Sequence, residues 1–139
     1  MARSLAERAA GAGAGRLFSL ACVFALQEFE SWLIAGVESL AGRRLPDGRA
    51  GVMAKHPPKP SKIEVAPRDA KGWLDRAMAT GYKATTDQEP LTKIVELDAI
   101  RAAGLRSFRR LESAIDDLVD AARNNAPVIS PRRPPPPQP

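Results

Sequence analysis

The stretch QEFESWLIA, residues 27–35, carries a carboxylate on what would be the apolar face of a helix. At about 3.6 residues per turn, one apolar stripe would contain Phe29, Leu33, Val37 and Leu40. Glu30 falls inside that stripe, whereas Glu28 lies near its border and Glu38 faces away. Burying an unpaired carboxylate costs several kcal/mol, so Glu30 would need a metal, a cation, a hydrogen-bond donor or a proton.

Glu30 also has a purely structural interpretation. It lies in the first turn of the predicted helix, where the backbone dipole favours a carboxylate by about 0.3 to 1 kcal/mol. The sequence leaves both interpretations open.

A looser set of polar residues could complete a site around Glu30. The set consists of Lys62 and Lys71, which lie around a proline-rich loop, and of Tyr82, Lys83, Asp87 and Gln88 in the turn GYKATTDQ. A water-shielded acid that meets lysines and a second acid can hold a divalent metal against a phosphate. Taken singly, Lys83 could be an ordinary turn lysine and Asp87 a helix cap. The sequence contains no Walker loop, GxGxxG, HExxH, paired CxxC or GxSxG motif.

The elements that must position these residues begin with FSLACVFAL, residues 18–26. This run is apolar on both faces and is typical of a buried strand, although it could instead extend the following helix. As a strand it needs neighbours, and no other segment clearly supplies them. A helix is predicted from about Glu28 to Leu40, ending at Gly42. A long loop with five prolines covers residues 43–67.

Further helices are predicted beyond this loop, each with a capping residue at its start. The predicted N-caps are Asp69, Thr86 or Asp87, Asp98 and Ser107. Trp73 is expected to anchor the core. The last helix is expected to bury Phe108, Leu111, Ile115, Leu118, Val119 and Ala122. The predicted fold is mostly α, with four to five helices and at most one buried strand.

The two ends of the chain differ in composition from the middle. Residues 1–16 are small and polar, and are predicted to be a flexible lead. Residues 125–139 are rich in proline and are predicted to be a disordered tail. The folded body is therefore assigned to residues 17–124. The longest apolar run, residues 20–26, is far shorter than the roughly 20 residues that span a bilayer, so no membrane helix is expected.

The net charge is +5 and the isoelectric point is about 9.9. Residues 43–83 hold ten Lys or Arg against four acids, so the basic excess is concentrated there. Such a region could attract the phosphate backbone of a nucleic acid, or could be a solvated loop.

The single cysteine, Cys22, is interpreted as a buried and inert thiol, which fits a cytoplasmic location. His56 has no other His or Cys near it in the sequence, and it is interpreted as a solvated side chain rather than a zinc ligand.

Several segments occur in a recognisable order: FALQEFESWLIA, a proline-rich gap, PRDAKGWL, GYKATTDQEPLTKIVELDAIRA and SFRRLESAI. Over about residues 20–120 the chain resembles the C-terminal half of the bacterial proteins of domain of unknown function family 4276. The resemblance places the motif residues of that family on Glu30, Tyr82, Lys83, Asp87, Ser107 and Phe108.

The resemblance implies a TOPRIM-like, metal-dependent nuclease-type α/β domain, of a kind often encoded beside an ATPase in abortive-infection and other phage-defence systems. It makes Glu30, Lys83 and Asp87 candidate catalytic residues, with Glu30 as metal ligand and Lys83 as phosphate contact. Similar proteins begin with a strand, a glutamate-bearing turn like EGxTE and an aspartate-bearing segment. Here only MARSLAERAAGAGAGR stands in that place, so the chain resembles a truncated domain. Mg²⁺ is expected only if the missing acids are supplied.

Two functions follow as expectations. The first is a nuclease-like protein of phage defence that is inactive on its own. The alternative is a non-catalytic module that docks on a partner ATPase through an exposed apolar strand and helix face.

Overall fold

Six α-helices and two short strands form in the described part of the chain, which is residues 1–65 and 68–131 of a computed structural model. The helices are α1 (Ala2–Gly11), α2 (Glu30–Ala35), α3 (Ala70–Ala77), α4 (Ala84–Ile94), α5 (Leu97–Ala102) and α6 (Arg106–Arg123). The strands are β1 (Leu20–Ala21) and β2 (Ile129–Ser130), and a 3₁₀-helix covers Val37–Ser39. The prediction of a mostly α fold is confirmed, but the described residues form more helices than the four to five predicted, and a second strand.

The chain divides into two compact units. The terminal unit consists of Met1–Phe24 and Arg109–Pro139, and the central unit consists of Ala25–Phe108. The candidate site residues Glu30, Lys83 and Asp87 all belong to the central unit.

Helix α2 forms the centre of the core of the central unit. All six of its residues are buried, and it contacts α3, α4 and α5. The predicted helix to Leu40 is interrupted at Gly36, where a Cβ atom would lie 2.5 Å from Cγ2 of Val95. This close approach requires glycine, and the chain continues as the 3₁₀-helix. Gly42 has a φ of 72° and ends the segment as predicted.

Helix α3 follows its sequence pattern closely. Oδ1 of Asp69 accepts a 2.8 Å hydrogen bond from the amide of Gly72, so the predicted N-cap is confirmed. Trp73 and Leu74 are buried, as expected for the apolar face of this helix.

Three other predicted caps are wrong. Asp87 and its alternative Thr86 both lie inside α4, which begins at Ala84, and Asp87 accepts a hydrogen bond from the amide of Lys83. Asp98 lies in the first turn of α5, whose N-cap is Glu96. Ser107 is the second residue of α6 rather than its cap. In each case a helix begins before the polar residue that was expected to start it.

The terminal unit contains structure at both ends of the sequence. Helix α1 occupies most of residues 1–16, which were predicted to be a flexible lead. Strand β1 pairs in parallel with β2, with Leu20 opposite Ile129 and Ala21 opposite Ser130. Part of the predicted disordered tail, residues 125–139, thus supplies the neighbouring strand; residues 132–139 lie outside the described residues.

The predicted buried strand at residues 18–26 is only partly correct. Its regular part is β1, and the side chains of Phe18 and Phe24 are exposed. Cys22 is half-buried rather than fully enclosed. The two-residue ladder covers too little of the segment to bury both of its faces.

The buried face of α6 differs from the predicted stripe. Phe108 is buried, but Ile115 is 49% exposed and Val119 is 39% exposed, while Ala114 and Ala121 are buried instead. The helix therefore turns a face with small residues inward. The amphipathic period was recognised correctly, but the buried side of the helix was assigned wrongly.

His56 is largely buried against the ring of Trp73, with ring centroids 5.9 Å apart, so its interpretation as a solvated side chain is wrong.

Within residues 1–65 and 68–131, every helix is too short or too polar to cross a membrane.

Candidate functional site

Glu30 is withdrawn from solvent, as its position in the apolar stripe predicted. It is the first residue of α2 and is 2% exposed. Its Oε1 accepts a 3.0 Å hydrogen bond from the phenol of Tyr82, which precedes α4. Nζ of Lys71, on α3, lies 3.8 Å from Oε2. The buried carboxylate thus has a neutral donor on one oxygen and a cation near the other.

Glu28 joins the same group, which we call the acid–lysine cluster (Glu28, Glu30, Lys71 and Tyr82). Nζ of Lys71 donates a 2.8 Å hydrogen bond to Oε1 of Glu28. Oε2 of Glu28 is buried and has no hydrogen-bond partner among the residues that the structure describes. The residue before it, Gln27, has a φ of 69°, an uncommon conformation for a non-glycine residue.

The charges within the cluster act on one another. Burial, together with the nearby charge of Glu30 and the hydrogen bond to it, raises the pKa of Tyr82 far above its ordinary value. The hydrogen bond to Glu28 raises the pKa of Lys71, with a smaller contribution from the charge of Glu30. With both carboxylates ionised and Lys71 protonated, the cluster carries one net negative charge.

Asp87 is the second buried carboxylate of the central unit and is 2% exposed. Its Oδ2 accepts a 2.7 Å hydrogen bond from the amide of Lys83, and its Oδ1 accepts a 2.6 Å hydrogen bond from Nη1 of Arg49. Burial opposes ionisation, but these two hydrogen bonds hold the pKa of Asp87 below its ordinary value. Both oxygens are engaged, so this carboxylate is well suited to fix the start of α4.

The dipeptide Tyr82–Lys83 connects the two carboxylates. The side chain of Tyr82 donates to Glu30, while the backbone of Lys83 donates to Asp87. The structure therefore brings three of the predicted residues, Glu30, Tyr82 and Asp87, around one short turn. Lys71 joins them, whereas Lys62 is exposed and forms no hydrogen bond or ion pair with the cluster among the described residues.

Lys83 is exposed and is one of the residues that line an open cleft. Its ammonium has no hydrogen-bond or ion-pair partner within the described ranges. The cleft is lined by Asp47, Arg49, Thr80, Gly81, Lys83, Thr86 and Asp87. Arg49 is held there between two carboxylates, because its Nε also donates to Asp47 at 2.8 Å. Lys83 is thus the basic group of this cleft that can meet a ligand without breaking an ion pair.

Sequence reasoning missed Arg49 and the full role of Glu28. Arg49 follows the turn PDG, a signal for a loop, but nothing in the local pattern shows that it reaches a residue 38 positions away. Glu28 was placed at the border of the apolar stripe, and this position accounts for the partial burial of its carboxylate. Its sharing of Lys71 with Glu30 depends on the packing of α3 against α2.

The acid–lysine cluster fits a divalent metal only if Lys71 moves away from the two carboxylates. Among the residues described, no three or more His, Cys, Asp or Glu side chains are grouped so that they could hold a metal ion. Two carboxylates are nevertheless enough for Mg²⁺ when water and a substrate phosphate complete its shell. Oε2 of Glu28 is buried and has no hydrogen-bond partner in the described part of the chain, so it could serve as a ligand. The ammonium of Lys71 stands between the two carboxylates and would first have to move.

Sequence comparison identifies the class of domain. The chain matches the family described as Domain of unknown function (DUF4276) over residues 1–116, and it belongs to that family. The match includes residues 1–16, which lay outside the segment on which the resemblance was recognised. No curated protein and no solved structure matches the chain.

Proposed function

We propose that this chain provides one part of the metal site of a TOPRIM-like nuclease-type domain, and that it does not cut nucleic acid by itself. The observation that carries the proposal is the pair of carboxylates at Glu28 and Glu30. One is buried, and the other has a buried oxygen without a partner in the described residues. A divalent metal held there would polarise a phosphoryl oxygen and neutralise developing charge.

The roles of the other residues follow from their contacts. Tyr82 orients Glu30 through its hydrogen bond. Asp87, a candidate catalytic residue by resemblance, has both oxygens occupied by Arg49 and Lys83, so we assign it a positioning role. Lys83 is proposed to contact a phosphate, because it lines the cleft and its ammonium has no ion-pair partner among the described residues. The basic region of residues 43–83 would add long-range attraction for nucleic acid.

Metal binding by the purified chain tests the proposal directly. Titration with Mn²⁺, followed by the paramagnetic resonance signal of the unbound ion, should show weak binding that Glu30→Gln abolishes. Incubation with Mg²⁺ and single- or double-stranded DNA or RNA should give no cleavage. Cleavage that disappears in Glu30→Gln would overturn the proposed inactivity, and equal Mn²⁺ binding by wild type and Glu30→Gln would overturn the metal site.

The phosphate contact has its own test. Lys83→Ala should weaken the binding of a labelled oligonucleotide and reduce the salt slope by about 1. Lys62→Ala removes an exposed lysine from the same basic region and is the matched control. If both variants weaken binding equally, Lys83 has no special role in the cleft.

A second function is favoured by a separate observation in the terminal unit. Leu17, Phe18 and Phe24 expose large apolar side chains, and so do Ile115 and Val119 on α6. Such surfaces often mark contacts between proteins. We therefore propose, as the alternative, a non-catalytic module that docks on a partner ATPase.

Co-purification with an ATPase encoded nearby separates these functions. The module is favoured if the ATPase retains the wild-type chain but not Phe18→Ser. The wild-type chain should then show neither metal affinity nor salt-dependent binding of nucleic acid. Under both functions we propose a bacterial protein of the cytoplasm that acts in phage defence or abortive infection.

A further inference from the structure

We infer that Lys71 is a tethered competitor for the divalent metal, and that its ammonium holds the place between Glu28 and Glu30 until a metal displaces it. This inference rests on the proposed function, because it concerns the same two carboxylates. It assigns to Lys71 a role that neither the sequence motif nor the family supplies.

The position of the ammonium carries the argument. Nζ of Lys71 lies 2.8 Å from Oε1 of Glu28 and 3.8 Å from Oε2 of Glu30. A cation that bridges the two carboxylates through these two oxygens would have to occupy the point where the ammonium lies. The ammonium and a divalent ion therefore cannot occupy this point together.

Charge balance strengthens the exclusion. The two carboxylates carry two negative charges, so a divalent ion alone would neutralise them. With Lys71 still in place, the same ion would leave one net positive charge beside the buried Glu30. Like charges at such short range repel, and the water around the exposed ammonium screens this repulsion only in part. Metal binding and the departure of Lys71 should therefore be coupled.

Lys71 is able to leave. About half of its side chain is exposed, and its flexible stem can carry the ammonium into water. Glu30 does not lose its orientation when this happens, since Oε1 still accepts the hydrogen bond from Tyr82. The vacated point would be flanked by Oε2 of Glu30 and by the carboxylate of Glu28.

The lysine also leaves one acceptor unused. It satisfies Oε1 of Glu28, but Oε2 of the same carboxylate is buried and unpartnered among the described residues. A buried acceptor without a donor is costly, and an ion that binds through both oxygens would remove that cost. A single ammonium is thus a poorer match for Glu28 than a divalent ion.

Mn²⁺ binding by charge-changing variants tests the inference. Lys71→Met should lower the dissociation constant about tenfold relative to wild type. Lys71→Arg keeps the charge and should bind no more tightly than wild type. Lys93→Met is the matched control: Lys93 also pairs with a glutamate and is similarly exposed, but it lies on α4 at Glu89. Lys71→Gln provides a second neutral variant if Lys71→Met does not fold.

The outcomes separate this inference from the proposed function. If Lys71→Met, Lys71→Gln and wild type bind Mn²⁺ equally, and Glu30→Gln still abolishes binding, the competitor role is wrong and the metal site stands. If Lys93→Met tightens binding as much as Lys71→Met, the effect is one of net charge and the inference fails. If no variant binds Mn²⁺, the metal site and the competitor role both fall.

Discussion

The phenol of Tyr82 donates a 3.0 Å hydrogen bond to Oε1 of Glu30, across 52 residues of sequence. This contact joins the start of α2 to the turn before α4. It gives the buried carboxylate a donor that carries no charge, so among the described residues the positive charge paired with Glu30 is that of Lys71. Glu30 therefore links the stability of the central unit to the behaviour of that unit toward cations.

The ionisation of Tyr82 should be displaced to high pH. Burial and the charge of Glu30 raise its pKa from the ordinary value of 10.0. Because the folded pKa is raised, the stabilisation is complete below pH 10 and is lost as the pH rises toward the folded value. Tyr82 is the only tyrosine of the chain, so the ultraviolet absorbance of tyrosinate reports it alone.

A matched variant tests the cause of that shift. Glu30→Gln should bring the ionisation of Tyr82 closer to its ordinary value, because it removes the neighbouring negative charge. In the Tyr82→Phe variant we expect a loss of about 1.5 to 3 kcal/mol in the free energy of unfolding, since the carboxylate loses a donor. An ordinary tyrosine titration in the wild-type chain would contradict the contact.

The placement of Glu30 could be predicted from sequence because it depends on periodicity alone. A helix that buries Leu33 and Ile34 must carry Glu30 on the same side, three and four residues before them. The partners could not be predicted in the same way. Tyr82 and Lys71 belong to other elements, and local pattern gives no distance between elements.

The replacement of Asp87 should destabilise the start of α4. Asp87→Asn removes the charge that pairs with Arg49 and weakens the acceptor for the amide of Lys83. We expect a loss of about 2 kcal/mol, measured by chemical denaturation at neutral pH. Glu89→Gln, in an exposed ion pair of the same helix, should change the stability far less than Asp87→Asn.

The pH dependence of that loss has a defined sign. The folded pKa of Asp87 is lowered, so its contribution is complete above the ordinary value of 3.8 and disappears as the pH falls below it. The difference in unfolding free energy between wild type and Asp87→Asn should therefore shrink in acid. A difference that stays constant down to the lowest pH at which the protein is folded would argue against the ionised form.

The errors in the fold prediction have a common physical origin. The pattern of α6 was recognised, yet Ile115 and Val119 are exposed while Ala114 and Ala121 are buried, because the pattern of one helix does not show which distant segments cover it. Strand β2 was missed because its partner β1 lies more than one hundred residues away, so no local signal marks the pairing.

Ser107 supports the core through its side chain rather than by capping a helix. Its Oγ accepts a buried 2.9 Å hydrogen bond from Nε1 of Trp32, whose ring meets Phe108 edge-on at a centroid distance of 5.6 Å. Ser107→Ala should cost about 1 to 2 kcal/mol, because the indole N–H loses its acceptor in a buried place. Ser113→Ala, an exposed serine of the same helix, is the control. Equal effects of the two variants, measured by thermal unfolding, would contradict this role.

The N-terminus of α6 depends on a carboxylate from a distant loop. Oε1 of Glu64 accepts a 2.7 Å hydrogen bond from the amide of Ser107, and Oε2 accepts a 2.9 Å hydrogen bond from the amide of Arg106. Burial opposes ionisation, but the hydrogen bonds from Ser107 and Arg106 lower the pKa of Glu64. The cap is therefore complete above the ordinary value of 4.5 and is lost as the pH falls below it.

Loss of the Glu64 cap should be detectable at the individual amides that it binds. Glu64→Ala should speed hydrogen exchange at the amides of Arg106 and Ser107, with a stability loss of about 1 kcal/mol. Glu7→Ala, on the exposed side of α1, removes the same charge and should leave both amides unchanged. Unchanged exchange at Arg106 and Ser107 in Glu64→Ala would show that other groups protect the first turn of α6.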